Sequence, residues 1–479
     1  MKNPFGLHQS VYFALGILIM KSVSLLMLPI VTYYLTPTEF GELELLISIS
    51  DFATIIVGFG LADALYRFAG LSKSDDDEQN IGGTIFSLTI ITGTVSFLIG
   101  LLIAPWLLPL LGGDIELFDV QLVVFLFAVD GVLVIPLAWL KMKENAFTFF
   151  VLTTGKAICQ AVVTWQLLKH DYGITSILLG GAISSIILVV ILARLQIKQT
   201  GFRLDTKLLP ELMLYGTPLV VSSMAAYALL SADRWMINMV STPDELGLYA
   251  VGKKLAYISF ILMQPFCLWW SALRFKKLNG PDGAKEVAKT TSLGIALSVC
   301  FSALVVMGSP IVLDLLINEQ YAQAIRYLPA LALLFAVKQI AELANIGCYI
   351  GKTTWNVMAI DLSSAAVSIG CLFYLSNIWG VFGVIASLLI AQGTRFVAFY
   401  VISQRKLHLQ YEVSKLAALI AICLGLTYVS LQLTDLLEHL LMLVGSSLAL
   451  LVYLHFTDLF CMTPLIKRAM SMVRRSKPA

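Results

Sequence analysis

About fourteen apolar stretches, each roughly the ~20 residues that a helix needs to cross a bilayer, follow one another along this chain with no soluble domain between them. They run roughly over 8–35, 43–68, 81–111, 118–140, 146–168 and 174–196, then 208–240, 246–272, 287–317, 324–350, 354–375 and 380–403, and finally 414–432 and 438–457. Backbone groups in lipid must be satisfied within their own segment, so helices are the only spanning structures open to such stretches. The expected fold is an all-α integral membrane protein. Its composition agrees: 58% of residues are hydrophobic and 13% charged, too few charges to wet the exterior of a soluble chain of 479 residues.

The 32 Lys and Arg against 30 Asp and Glu give no basic excess for nucleic acid. Cys159, Cys267, Cys300, Cys348, Cys371, Cys423 and Cys461 all fall in apolar runs without a CxxC pair, and read as small packing residues. The first apolar stretch is too long for a signal-peptide core and lacks a cleavage site, so it reads as a first span.

The basic residues in the connections and at the span ends are distributed unevenly. Connections on the N-terminal side carry Lys2, Arg67, Lys73, Lys141, Lys143, Arg194, Lys198, Arg203, Lys207 and further lysines and arginines through Lys415 and the tail, 23 in all. The opposite side carries only Lys169 and Arg326, beside acids such as Glu39, Asp114, Glu116, Asp171, Asp244 and Asp435. By the positive-inside rule both termini are expected in the cytoplasm, which requires an even number of spans.

The chain repeats itself. Thr36-Pro37-Thr38-Glu39-Phe40-Gly41 follows the first span and Thr242-Pro243-Asp244-Glu245-Leu246-Gly247 follows the seventh, at an offset of 206 residues. Tyr172-Gly173-Ile174 before span six matches Trp379-Gly380-Val381 before span twelve, at an offset of 207. A capping turn explains one T-P-x-E-x-G, but not two copies at equivalent places. The expected organisation is two parallel-repeat six-helix bundles, 1–200 and 201–410, followed by 411–479 with two C-terminal helices and a basic cytoplasmic tail. Paired bundles of this kind place a site between them.

Seven basic residues remain inside the spans: Lys21, Lys156, Arg234, Lys253, Lys254, Lys338 and Arg395. The acids there include Asp51, Asp63, Asp130, Asp233, Asp314, Glu342 and Asp361. Each costs about 2.5–3.5 kcal/mol at mid-membrane, so most must pair or face a watery cavity. Lys21 is too deep to snorkel easily and reads as cavity-lining, with a structural pair as the alternative. Asp233 and Arg234 are adjacent and cannot share a helix face; the same holds for Lys253 and Lys254. Lys338 and Glu342 have the spacing of a local ion pair, Lys156 and Arg395 read as structural pairs, and Asp63 with Arg67 as a solvated one. The buried charges do not follow the repeat, since the position 206 residues after Lys21 is Tyr227. An asymmetric cationic interior near spans one, seven and eight points to an anionic ligand.

Enzyme motifs are lacking. Gly347 to Thr353 resembles a phosphate loop but is one spacer short of GxxxxGK[ST] and reads as a turn, and the five histidines have no metal spacing. No catalytic residue, metal or cofactor is expected.

The two T-P-x-E-x-G motifs, Asp233-Arg234 late in span seven, and Gly247-Leu248-Tyr249 leading to Lys253-Lys254-Leu255 resemble the polysaccharide-transport branch of the multidrug/oligosaccharidyl-lipid/polysaccharide exporter superfamily. The two extra C-terminal helices suit this branch better than the twelve-helix multidrug branch. The resemblance implies a bacterial inner-membrane flippase that moves an undecaprenyl-pyrophosphate-linked glycan (an O-antigen, capsule or exopolysaccharide unit) to the outer leaflet by alternating access. It also implies membrane lipid, a polysaccharide polymerase and a chain-length regulator as partners. Lys21, Arg234, Lys253, Lys254 and Lys338 are then the candidate pyrophosphate contacts. Asp51, Asp130 and Asp361 are candidates for a coupling H⁺ or Na⁺, although each could equally neutralise a neighbouring base. A cation-coupled multidrug exporter of the same superfamily is the alternative, against which the buried lysines count.

Overall fold

The computed structural model describes residues 5–72, 74–350, 355–457 and 459. Lys2, Lys73, Lys352, Thr353, Cys461 and the tail bases Lys467, Arg468, Arg474, Arg475 and Lys477 lie outside them. The described residues are helical throughout, without strands. The helices are α1 (Phe5–Tyr34), α2 (Pro37–Gly58), α3 (Leu61–Gly70), α4 (Asp75–Leu111), α5 (Leu117–Met142), α6 (Ala146–Leu168) and α7 (Gly173–Thr200). They continue with α8 (Leu209–Leu230), α9 (Asp233–Val240), α10 (Pro243–Leu278), α11 (Gly283–Leu316), α12 (Leu328–Ala344), α13 (Trp355–Lys406), α14 (Val413–Ser430) and α15 (Leu436–Phe456).

Among the described residues, 11 helices are long and apolar enough to cross a membrane, and a 3₁₀ segment Glu319–Arg326 bent by 54° against α12 supplies another crossing. The apolar stretch Leu18–Tyr34 of α1 adds one, and non-helical backbone at Gly380 divides α13 into two. The described residues thus hold 11 such spans, 12 with the bent pair, and Leu18–Tyr34 and the divided α13 lie where the remaining expected spans fall. Large apolar side chains stand outward, Leu102 at 75%, Trp106 at 79% and Phe456 at 83% exposure. That is tolerable only where lipid replaces water, and the chain is a multi-pass membrane protein.

The repeat governs the element boundaries. Shifting the first seven helices by 206 residues carries α4 onto α11, α6 onto the first arm of α13 and α7 onto its second arm. Gly173 and Gly380, matched in the sequence, both adopt positive φ, 52° and 56°. This conformation is open to glycine and strained for other residues. A Cβ on Gly380 would meet nothing within 4 Å, so its cost is backbone alone. Gly380→Ala is therefore expected to lower stability by about 1–3 kcal/mol, read as a fall in Tm of the detergent-solubilised protein, without loss of packing elsewhere. An unchanged Tm would remove the strain argument.

Two spans differ from the unbroken helices read from the sequence. Span two is α2 and α3, separated at Phe59 and Gly60, both at positive φ. Span seven is α8 and α9, separated at Ser231 and Ala232, whose two amides both donate to the Tyr227 carbonyl. Span two also begins at Pro37, six residues before the apolar run, because Thr36 and Glu39 close a capping box: the Glu39 amide donates to Thr36 Oγ1 at 3.3 Å and the Thr36 amide to Glu39 Oε2 at 2.8 Å. The second copy caps α10 likewise, with the Glu245 amide 3.3 Å from Thr242 Oγ1.

The two copies meet through their glycines. A Cβ on Gly41 would run into the Pro243 carbonyl oxygen, and one on Gly247 into the Pro37 carbonyl oxygen. Each T-P-x-E-x-G thus supplies a cap, a helix start and a bare surface for the other's backbone.

By packing, the chain forms two compact units: Met1–Ala250 with Leu372–Val384, and Val251–Cys371 with Ile385–Ala479. This division follows contacts, whereas 1–200, 201–410 and 411–479 follow the repeat. In the first unit, α1 packs on α6, α4 on α5, α2 on α5, and α7 on both α5 and α6. Leu65, Ile85, Phe86 and Trp139 centre one of its cores. In the second, α11 packs against α12, α14 and α15, burying Ala296, Cys300 and Met307 against Leu419, Cys423 and Leu450.

Candidate functional site

A polar stripe runs down α2 of the first unit. Glu44, Ser48 and Asp51 recur at i, i+4 and i+7 and so share one face of the helix. That face meets α8 and α9 at the break in span seven. Because α8 stops at Leu230, the short α9 starts afresh and presents Asp233, Arg234 and Trp235 in its first turn. Arg234 Nε lies 3.1 Å from Glu44 Oε2, and its Nη1 lies 3.3 Å from Asp51 Oδ2. The two carboxylates differ in setting. The Glu44 side chain is 2% exposed and Asp51 52%, with Arg234 itself at 16%.

The next turn of the stripe is locked by hydroxyl chemistry. Tyr227 Oη lies 2.6 Å from Ser48 Oγ, donates to the Ser48 carbonyl at 3.0 Å, and accepts from Trp235 Nε1 at 2.9 Å. The Phe52 ring packs on Tyr227 at 5.3 Å between centroids. Asp233, fully buried, accepts a hydrogen bond from Tyr249 Oη in the first turns of α10. Asp233 and Arg234 thus point to different partners, as adjacent helical positions require. The result is a guanidinium held by one enclosed and one accessible carboxylate on a rigid frame.

The other charges inside spans are arranged differently. Lys156 Nζ of α6 is 2.9 Å from Asp130 Oδ1 of α5, and Ser185 Oγ of α7 donates to the same oxygen at 3.1 Å. In the second unit Arg395 Nε is 2.8 Å from Asp361 Oδ1, joining the two arms of α13. Lys156 and Arg395 are therefore structural pairs, and two of the three carboxylates considered for ion coupling are their partners. Asp63 and Arg67 form no ion pair among the described residues; Arg67 instead lies over the Tyr215 ring of α8, 4.7 Å from its centroid, where a cation–π contact holds the guanidinium.

Lys21 is half-buried midway along α1 in the first unit, and Lys253 and Lys254 are half-buried near the start of α10 in the second. Lys338 of α12 places its ammonium 4.6 Å from the centroid of the Phe260 ring. Gly347 to Tyr349 form a single 3₁₀ turn whose Gly347 amide donates to Ser403 Oγ at 2.9 Å; Lys352 and Thr353 of that motif are outside the described residues. No group of three or more His, Cys, Asp or Glu side chains is arranged for a metal among the described residues.

Sequence reasoning missed Glu44, Tyr227 and Tyr249. The signal for Glu44 was present, since three polar residues at i, i+4 and i+7 in a membrane helix mark a face turned away from lipid. Glu42 was missed as well. It is 4% exposed and accepts the Asp114 amide at 2.9 Å, tying α2 to the turn after α4.

Residues 7–267 match the profile of the family described as "Polysaccharide biosynthesis protein". No curated protein matches the chain. Among solved structures, "Lipid II flippase MurJ, inward closed conformation" is similar with a TM-score of 0.71 at 13% identity, over 96% of this chain and 100% of that one. The "MATE multidrug transporter DinF-BH in complex with R6G" is similar with a TM-score of 0.56 at 14% identity, over 84% and 95%. "MATE in the straight conformation" gives 0.55 at 13% identity, over 86% and 96%. At these identities the likeness is one of fold.

Proposed function

We propose, because the chain belongs to the polysaccharide biosynthesis protein family, that it is a flippase. Its substrate is an undecaprenyl-pyrophosphate-linked oligosaccharide, moved from the cytoplasmic to the outer leaflet of a bacterial inner membrane with both termini cytoplasmic. The observation that carries this reading is Arg234 held between buried Glu44 and accessible Asp51. A pyrophosphate competes for the guanidinium as a bidentate, charge-assisted partner. Glu44 keeps Arg234 in place, while Asp51 is the arm that an incoming anion displaces. Asp51, once displaced, is open to a proton or Na⁺, so ion binding and anion binding are linked through one side chain.

Lys21 in the first unit, and Lys253, Lys254 and Lys338 in the second, are further cationic candidates for phosphate contact. Asp130 and Asp361, each opposite a base as Asp51 is but less exposed, are weaker coupling candidates than Asp51. The glycan chain moves through a wet interior while the polyprenyl tail stays in lipid. Transport, not catalysis, is the chemistry proposed, with a polymerase and a chain-length regulator acting on the product.

The test is flipping in liposomes, read as protection of a fluorescent lipid-linked oligosaccharide from an impermeant reductant. Lys21→Ala is expected to slow flipping about tenfold or more, the worth of one charge-assisted hydrogen bond, while the protein elutes and melts as wild type. Unaltered flipping would remove Lys21 from the site. Export of a lipophilic cation with no need for a lipid-linked sugar would instead favour the multidrug reading.

A further inference from the structure

One face of α10 combines charge and aromatic rings in a pattern that lipid contact does not explain. Lys253, Tyr257, Phe260 and Gln264 recur at i, i+4, i+7 and i+11, within an arc of about 60°. The opposite flank holds the buried Val251, Leu255, Ser259 and Met263. An ammonium and an amide on a stripe facing lipid would each be costly, so this stripe faces a polar space or a partner helix. Tyr257 and Phe260 stack with centroids 5.3 Å apart and planes 17° from parallel. Phe335 of α12 braces Tyr257 edge-on at 5.3 Å, and Lys338, one turn further along α12, lies over Phe260 at 4.6 Å. All these residues belong to the second unit.

Both aromatic rings are only partly covered, whereas Phe335 is 5% exposed and acts as the brace. An aromatic face is the negative end of a quadrupole and attracts positively polarised groups. Those include an ammonium, as Lys338 demonstrates, and the C–H face of a sugar ring. The contact of Lys338 with Phe260 is exchangeable, because a phosphate attracts the ammonium more strongly than the ring does. Once Lys338 has turned to a phosphate, the Phe260 face it covered is free for the sugar next to that phosphate. Lys253 lies about 10 Å along the same stripe, within reach of the same extended headgroup.

We propose that Tyr257, Phe260, Lys253 and Lys338 form a subsite for the first sugar of a glycosyl pyrophosphate, with the aromatic pair under the sugar ring and the lysines on the phosphates. It rests on the reading of the substrate as a lipid-linked oligosaccharide and adds where its first sugar is recognised.

The test uses the full chain in detergent, titrated with two probes, farnesyl pyrophosphate and farnesyl-pyrophosphoryl-N-acetylglucosamine. Wild type is expected to hold the sugar-bearing probe roughly three- to tenfold more tightly. Phe260→Leu keeps the apolar bulk but not the ring, and is expected to abolish that margin while leaving the bare pyrophosphate within about twofold. Phe260→Tyr is expected to keep it. Should Phe260→Leu fail to elute as folded protein, Tyr257→Leu makes the same comparison. Equal weakening of both probes by the Leu variants would make the rings structural and overturn the subsite. So would binding of both probes without a margin in wild type, which leaves the flippase reading standing. Failure of wild type to bind either probe would overturn both.

Discussion

Arg234→Met is expected to destabilise the protein by about 3–5 kcal/mol, because it leaves Glu44 charged, enclosed and without its guanidinium. Met occupies a similar volume, so the loss is electrostatic rather than a cavity. Asp51 contributes little to this cost, being 52% exposed and able to hydrate. The prediction is therefore specific to one carboxylate. Glu44→Gln placed on top of Arg234→Met is expected to recover most of the loss, whereas Asp51→Asn on the same background is expected to recover almost none. Thermal unfolding of the four proteins in one detergent decides it. Equal recovery from either second substitution would mean that the two carboxylates share the guanidinium evenly, and the division into a fixed and a displaceable arm would fall. The result also bears on activity assays, since loss of flipping in Arg234→Met cannot be assigned to substrate contact until the Glu44→Gln background restores the fold.

The second large effect is expected at the meeting of the two repeats. Gly41→Ala and Gly247→Ala each put a methyl group against a proline carbonyl of the other copy, where backbone rather than a yielding side chain must move. Each is expected to cost about 1–3 kcal/mol. Because the contacts are reciprocal, the two substitutions are expected to cost similar amounts. The double substitution is expected to cost less than their sum, since once the helix starts have parted to admit one methyl the second enters the same gap. Strictly additive losses in Tm would mean that the two contacts relax independently.

Much of the architecture was legible in the sequence, for reasons specific to membranes. Lipid imposes a length and a polarity on every crossing, so the all-helical, many-span fold could be read from hydropathy alone, and the repeat could be read from two turns and a glycine. The breaks were less visible. Gly58-Phe59-Gly60 does carry a breaking signal in span two, but Leu230-Ser231-Ala232 carries none, and the break there accompanies the seating of Tyr227 and Arg234 against α2. Hydropathy averages over such local interruptions. The site was legible as a set of costly residues but not as a set of partners. Asp51 and Arg234 are separated by 183 positions, and nothing in either segment names the other. Glu44 escaped notice because it follows the acidic cap of α2 so closely that it reads as part of the outer rim, although it is enclosed.

The glycine contact has one more consequence, in terms of symmetry. Gly41 meets Pro243 and Gly247 meets Pro37, so one patch faces its own copy. This is the isologous pairing by which two identical subunits associate about a two-fold axis. The buried charges, by contrast, do not follow the repeat. The glycines are constrained otherwise, because a self-complementary contact cannot accept a larger residue on one side by adjusting only the other. The two T-P-x-E-x-G copies therefore stay matched to each other while charges elsewhere in the two repeats are free to differ.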